Sequence, residues 1–257
     1  MSENDIILSG KDVTKRFSGL AALSEIEFEI LRGRIYGLIG PNGAGKSTLF
    51  NLITGYLPLN QGEIRFNGQR IDRMATTRIN RLGIARSFQI AKPFHELTVY
   101  ENVRIGALFG SDGPRDTNEI TTDALALTDI EAMADLPATA LTVGNLRKLE
   151  LARAIATRPQ LLLADEPCAG LNATETEEML NILRTLRDRG ITIWLVEHDM
   201  RAVMSVSDRI FVIDAGVKIA EGLPKEVAND PSVIAAYLGA PVKVTGRADP
   251  GSGTPEA

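Results

Sequence analysis

The sequence predicts an α/β fold that opens with an antiparallel β subdomain and carries an inserted α-helical subdomain. Three observations predict it. Short, wholly apolar runs such as Leu161-Leu162-Leu163-Ala164 alternate with amphipathic helical stretches, the pattern of a sheet covered on both faces by helices. The opening stretch instead alternates apolar and polar residues in Ile26-Glu27-Phe28-Glu29-Ile30, which suits a sheet with one buried face. From about Val99 to Thr157 the pattern is mostly helical.

The elements follow in order. Residues Ile6 to Val13 and Ala22 to Leu31 read as strands, rich in Ile, Leu and Val. Arg32-Gly33-Arg34 turns the chain into Ile35-Tyr36-Gly37-Leu38-Ile39, a short apolar run in the style of a buried parallel strand. A Gly-rich loop comes next, then a helix over Ser47 to Thr54 that Gly55 stops. Glu63-Ile64-Arg65-Phe66 leads into Asn67-Gly68, the dipeptide of a tight hairpin turn. Gly, Asp, Pro and Asn break the helical middle between Gly110 and Asn118. Leu161 to Ala164 is a buried strand, Thr174 to Arg189 an amphipathic helix and Ile191 to Val196 another apolar strand. Ile210 to Ile213 and Val217 to Ala220 form a hairpin around Asp214-Ala215-Gly216. A last short helix follows Asp230-Pro231-Ser232. After Gly239 the chain is Pro, Gly, Thr, Ser and charge, so residues 241–257 are expected to be disordered.

Composition narrows the function. The 28 Lys and Arg against 33 Asp and Glu leave a net charge of −5, which argues against a dedicated nucleic-acid binder. One cysteine, Cys168, excludes an intrachain disulfide framework and a cysteine-built zinc site. No apolar run approaches the ~18 residues of a membrane span. The acidic N-terminus, Met1-Ser-Glu-Asn-Asp5, lacks the shape of a signal peptide. A soluble cytoplasmic protein is expected.

Gly40-Pro41-Asn42-Gly43-Ala44-Gly45-Lys46-Ser47 fits the phosphate-loop pattern G-x-x-x-x-G-K-[ST] in full, after an apolar strand and before a helix. Glycines let the backbone wrap closely around phosphate. Successive N–H groups and the helix N-terminus supply partial positive charge. Lys46 adds a full charge for the outer phosphates, and the Ser47 hydroxyl can ligate Mg²⁺. Thr48 continues the same binding stretch.

Asp165-Glu166 lies just past the apolar run that ends at Ala164. Ligands of open α/β sheets bind beyond the carboxyl ends of strands. Asp165 is therefore placed to reach Mg²⁺, and Glu166 to orient or deprotonate an attacking water.

These motifs, with Leu141-Thr142-Val143-Gly144-Asn145-Leu146-Arg147 at the start of a helix placed at Arg147 to Ala156, resemble the nucleotide-binding subunit of ABC transporters. The family has the signature LSGGQ in that slot. Thr142 keeps the hydroxyl and Gly144 the second glycine, whereas Val143 and Asn145 depart from the pattern. Gln89 in Arg86-Ser87-Phe88-Gln89 looks like the glutamine that senses Mg²⁺ and the attacking water. Phe17 looks like the aromatic that stacks on adenine. Ala169-Gly170-Leu171-Asn172 occupies the family's D-loop. His198 in Val196-Glu197-His198-Asp199 looks like the switch histidine at the γ-phosphate.

The resemblance covers about residues 6 to 240. It implies a P-loop NTPase (RecA-like) core over 5–88 and 162–240, with a helical signature subdomain over 89–161. Arg86 to Gln89, Leu97 to Asn102, Ala169 to Asn172 and the ending Pro231 to Gly239 are similar to the branched-chain amino acid uptake group, and to its larger ATPase in the length of the segment from phosphate loop to Gln89. The lipopolysaccharide-export ATPase shares parts of this pattern.

What the resemblance implies is ATP hydrolysis with Mg²⁺, driving import of branched-chain amino acids or a related small polar solute. The partners implied are membrane permease subunits, a second ATPase subunit or a second copy of this chain, and indirectly a periplasmic binding protein. The place implied is the cytoplasmic face of the cell membrane. A regulatory module with weak hydrolysis is the alternative that Val143 and Asn145 support. A soluble ABC protein of translation or DNA repair is opposed by the single phosphate loop and the lack of a heptad run.

Some single residues carry two readings. Phe17 reads as core by residue type and as adenine-stacking by family position. Cys168 has no identifiable base and reads as a packed residue. His95 sits in a loop-like stretch with no chemical role. Arg147 and Lys148 at a helix start would oppose its dipole, which suggests an anionic partner.

Overall fold

The computed structural model describes residues 5–87, 92–111 and 116–238. Gln89 and the tail 241–257 lie outside the described residues.

The chain opens with two long strands, β1 (Ile6–Phe17) and β2 (Leu20–Leu31), paired antiparallel from Ile6↔Leu31 to Phe17↔Leu20. Both run further than the sequence pattern suggests. The alternation is interrupted where Asp12 and Glu25 take positive φ, at register shifts that bend the strands without ending them. β4 (Gln61–Phe66) joins the far edge of β1 and turns into β5 (Gln69–Arg70). Asn67 and Gly68 both have positive φ there, as a type I′ turn requires. The order of this first sheet is β2-β1-β4-β5.

The second sheet has six strands. It combines β3 (Ile35–Ile39), β6 (Ile84–Ser87), β7 (Leu161–Asp165), β8 (Thr192–Val196), β9 (Arg209–Asp214) and β10 (Val217–Gly222) in the order β10-β9-β3-β8-β7-β6. All neighbours are parallel except the terminal hairpin β9–β10. The central strands are wholly buried. On β7, Leu161 and Leu163 enter one core while Leu162 and Ala164 enter the other, and on β8 Trp194 and Val196 part from Ile193 and Leu195 in the same way. Side chains alternate between faces, so a strand buried on both faces must be apolar at every position.

One core lies between the two sheets and encloses α1 (Lys46–Ile53), with Trp194 set among Phe28, Phe50 and Phe211 at ring-centroid distances of 5.0, 5.8 and 5.6 Å. The other core is covered by α3 (Val99–Phe109), α4 (Thr117–Leu127), α5 (Val143–Ile155) and α6 (Ala173–Asp188). A third cluster joins Ile39 to Val203 of α7 (Met200–Val206), Val227 of α8 (Pro224–Ala228) and Val233 of α9 (Pro231–Leu238).

Four elements have no counterpart in the sequence pattern: α2 (Thr76–Leu82), β6, α7 and α8. Each is four to seven residues long, too short for a periodic signal. A fifth difference concerns α5, which begins at Val143 and not at Arg147. Thr142 is its N-cap, accepting the Asn145 N–H at 3.3 Å. Arg147 and Lys148 therefore lie in the second turn, where the dipole no longer opposes them. The Lys148 ammonium reaches Glu178 at 3.0 Å, and Arg147 donates to the Ala169 carbonyl at 3.2 Å.

Candidate active site

β3 delivers the chain to Gly40 at the end of the central sheet, and α1 carries it away. A Cβ at Gly40 would come within 1.9 Å of the Ile213 carbonyl oxygen, so the turn from strand to loop admits no side chain. Gly45 caps α1 with a φ of 110°, a conformation that glycine adopts without a steric penalty. The first turn of α1 has no acidic side chain, which leaves its N–H groups and dipole open to an anion.

Lys46 is buried, and its ammonium donates to the carbonyls of Gly40 at 2.6 Å and Pro41 at 3.0 Å. Burial lowers its pKa from the ordinary lysine value, and the charges of Glu166 and Asp165 oppose that shift. Asn42 to Thr48, together with Ala22, Glu166 and His198, line a cavity of about 390 Å³. Gly43, Ala44, Gly45, Lys46, Ser47 and Thr48 thus share one concavity with Glu166 and His198, two of the three residues expected at the neighbouring strand ends, while the third, Asp165, does not line it.

Those strand ends are tied together. Glu166 holds a φ of 52°, an uncommon conformation for a side-chain-bearing residue and one that clusters at functional sites. Its N–H donates to the Val196 carbonyl at 2.9 Å. Its carboxylate meets His198 Nε2 at 2.5 Å, and the His198 side chain is half exposed. Asp165 is buried one residue earlier and pairs with Arg86 Nη2 at 2.5 Å, while Arg86 Nη1 donates to Asn51 of α1 at 2.7 Å.

Thr142 and Gly144 do not line this cavity. They sit at the start of α5, where Val143 is 56% exposed and Gly144 is buried against Glu175 of α6. Phe17 is 44% exposed at the end of β1, with the Lys15 ammonium 5.0 Å from its ring centroid, so the core reading fails for it. It does not line the cavity either. His95 is exposed in a turn. Cys168 is buried, and burial with the neighbouring Glu197 pushes its thiol well above the ordinary range. Two functional neighbours were not evident from the sequence, Arg86 as the partner of Asp165 and Glu197 as a buried carboxylate beside His198. Neither is adjacent in sequence to what it holds in the other loop, so no motif spacing could signal the contact.

The comparisons with known proteins agree with this geometry. Residues 23–169 match the family model described as ABC transporter, and residues 217–243 match the model described as branched-chain amino acid ATP-binding cassette transporter. The chain is 38% identical over 249 residues to the high-affinity branched-chain amino acid transport ATP-binding protein LivG of Escherichia coli, covering 91% of this chain and 98% of that one. It is 36% identical over 249 residues to the corresponding protein BraF of Pseudomonas aeruginosa, with the same coverage. Among solved structures, the ADP conformation of an ATP-binding cassette of an ABC transporter superposes with a TM-score of 0.83 at 30% identity, covering 91% of this chain and 99% of that one. A nucleotide-free cassette superposes with a TM-score of 0.82 at 30% identity, covering 90% and 98%. The chain belongs to the ABC transporter family, as an ATP-hydrolysing subunit of the branched-chain amino acid type.

Proposed function

We propose that the cavity between α1 and the ends of β7 and β8 binds and hydrolyses ATP to drive uptake of branched-chain amino acids. The observation that carries this reading is the meeting of the Lys46 loop with Glu166 and His198 around one concavity. The β- and γ-phosphates lie along the N–H groups of Gly43 to Ser47, and Lys46 exchanges its two loop carbonyls for phosphate oxygens. Gly40, Pro41, Asn42 and Ala44 hold the shape of that loop, and Thr48 extends it into α1. Glu166 orients the attacking water and takes its proton. His198 holds Glu166 before ATP arrives and contacts the γ-phosphate afterwards. Phe17 stacks on adenine from the rim.

The donor set fits Mg²⁺. Among the described residues no group of three His, Cys, Asp or Glu side chains forms a dedicated metal cage. The Ser47 hydroxyl and the Asp165 carboxylate are hard oxygen donors of the kind Mg²⁺ takes one or two at a time, alongside phosphate. These two would hold it, with Gln89 as a third contact. When bound it neutralises charge developing on the phosphates.

Thr142 and Gly144 act in trans, on ATP held by a second ATPase subunit or a second copy of this chain. The exposed start of α5 supports this, since it presents a helix N-terminus away from the chain's own cavity. The sandwich drives permease subunits fed by a periplasmic binding protein, at the cytoplasmic face of the membrane. Among the described residues no helix is long and apolar enough to cross a membrane. The helical stretch 89–161 forms the signature subdomain, with the core in 5–88 and 162–240.

The test is turnover in the assembled transporter. Lys46→Ala should nearly abolish ATP use. Glu166→Gln should keep ATP binding and slow hydrolysis by ~10²–10⁴-fold, the usual loss on removing a general base. Wild-type turnover in either variant would remove the assignment.

A further inference from the structure

Glu197 is a buried carboxylate, 5% exposed, that the phosphate-loop chemistry does not use. Its two oxygens serve different loops. Oε1 accepts the Cys168 N–H at 2.7 Å, from the turn that follows Glu166 and Pro167. Oε2 accepts the N–H of His198 at 3.2 Å. No other side chain among the described hydrogen bonds joins the loop after β7 to the loop after β8 through both of its oxygens. A carboxylate buried this deeply is costly unless hydrogen-bonded, and these two backbone donors meet that requirement. Burial nevertheless pushes the carboxyl above its usual range, aided by the nearby Glu166.

We propose that Glu197 is the positioning residue that holds His198 and the Glu166 turn in register. The proposal rests on the assignment of Glu166 and His198 given above. The geometry explains why a shorter or neutral side chain would not serve. An ionised carboxylate is an acceptor at both oxygens, whereas an amide offers one acceptor and one donor. Gln at this position would set its NH₂ against one of the two backbone N–H groups. One loop end would then be released, and His198 would move relative to Glu166. Lys46 and α1 are not touched by this change, so nucleotide binding and hydrolysis should separate.

The experiment uses the full chain with labelled imidazole nitrogens. The sequence has two histidines, so His95 serves as an internal control for His198. Glu197→Gln should move the His198 ring resonances by more than their linewidth and leave those of His95 in place. In the assembled transporter it should lower kcat roughly tenfold, since small misplacements of reacting groups are costly, with the KM for ATP within about twofold of wild type. Should this variant fold poorly, Glu197→Asp, which keeps two acceptor oxygens on a shorter stem, carries the same measurements. Unmoved His198 resonances, unchanged kcat, or a loss shared equally by kcat and KM would overturn the proposal. His198→Ala and Glu166→Gln run in parallel separate the two layers. If those variants hydrolyse normally, the site assignment fails. If they lose turnover while Glu197→Gln behaves as wild type, only the role of Glu197 fails.

Discussion

Cys168 and Glu166 lie two positions apart and have opposite settings. The glutamate holds a left-handed backbone conformation at the cavity edge, while the cysteine is turned inward against Glu197. A thiol whose pKa is raised holds its proton through the alkaline range, and only the thiolate is a nucleophile. The folded chain is therefore expected to resist a thiol reagent such as iodoacetamide at pH 8, and to react at one thiol per chain once denatured. Fast labelling of the folded protein would show that the loop opens readily. Residue type alone suggests an inert cysteine, because no base can be paired with it, and burial, aided by the Glu197 carboxylate beside it, supplies the physical cause. Phe17 shows the reverse. An aromatic beside strand residues reads as core, and the hairpin turn at Ser18-Gly19 leaves it exposed at the end of β1 instead.

At the scale of elements, α5 decides how the signature region can be probed. A Cβ added at Gly144 would stand 2.7 Å from Glu175 Oε1, so Gly144→Asp would press two carboxylates together inside the subunit. Glu175 can swing aside, but its carboxylate also accepts the Asn172 N–H at 3.0 Å in the cap of α6. Loosening that cap costs about 1 kcal/mol, so the isolated subunit should lose roughly 2–4 °C in Tm. Such a variant cannot separate a contact in trans from damage to the fold. Val143→Asp can. Its side chain is exposed at the first position of the helix, where an acid is favourable to the dipole. It should leave the Tm of the isolated subunit within a degree or two, by the same conversion, and suppress turnover in the assembled transporter by repelling the partner's triphosphate. Normal turnover of Val143→Asp would mean that this helix start does not face nucleotide. The hairpins were legible because their turns are local: Asn67-Gly68 and Ala215-Gly216 both adopt the positive φ values that such dipeptides favour. The start of α5 was not, because Thr142 caps a helix whose first four residues include an exposed valine and a buried glycine rather than a clear apolar stripe.

For the whole molecule, one end of the six-stranded sheet collects the phosphate loop, Asp165-Glu166 and Glu197-His198 from β3, β7 and β8, which are neighbours in space in the order β3-β8-β7. The start of α5 lies outside that cavity, so under the proposed action of Thr142 and Gly144 in trans a single chain presents an incomplete set of groups. Glu166→Gln with ATP and Mg²⁺ should accordingly elute as a dimer in size-exclusion chromatography, either with itself or with its partner ATPase, and return to monomer when ATP is removed. A monomer under saturating ATP in both mixtures would sink the sandwich arrangement.

The sequence by itself determined the phosphate loop, the apolar strands and the order of the motifs, since each rests on backbone conformations set by residues within a few positions of one another. Gly40, Gly45 and the helix start after them are enough to specify an anion cradle. What the tertiary structure alone decided are the contacts that cross the chain. Arg86 meets Asp165 at a separation of 79 residues, and Cys168 meets Glu197 at a separation of 29. Parallel strands bring such residues side by side only after intervening helices have packed, and pairing across a sheet leaves no spacing in the sequence to read.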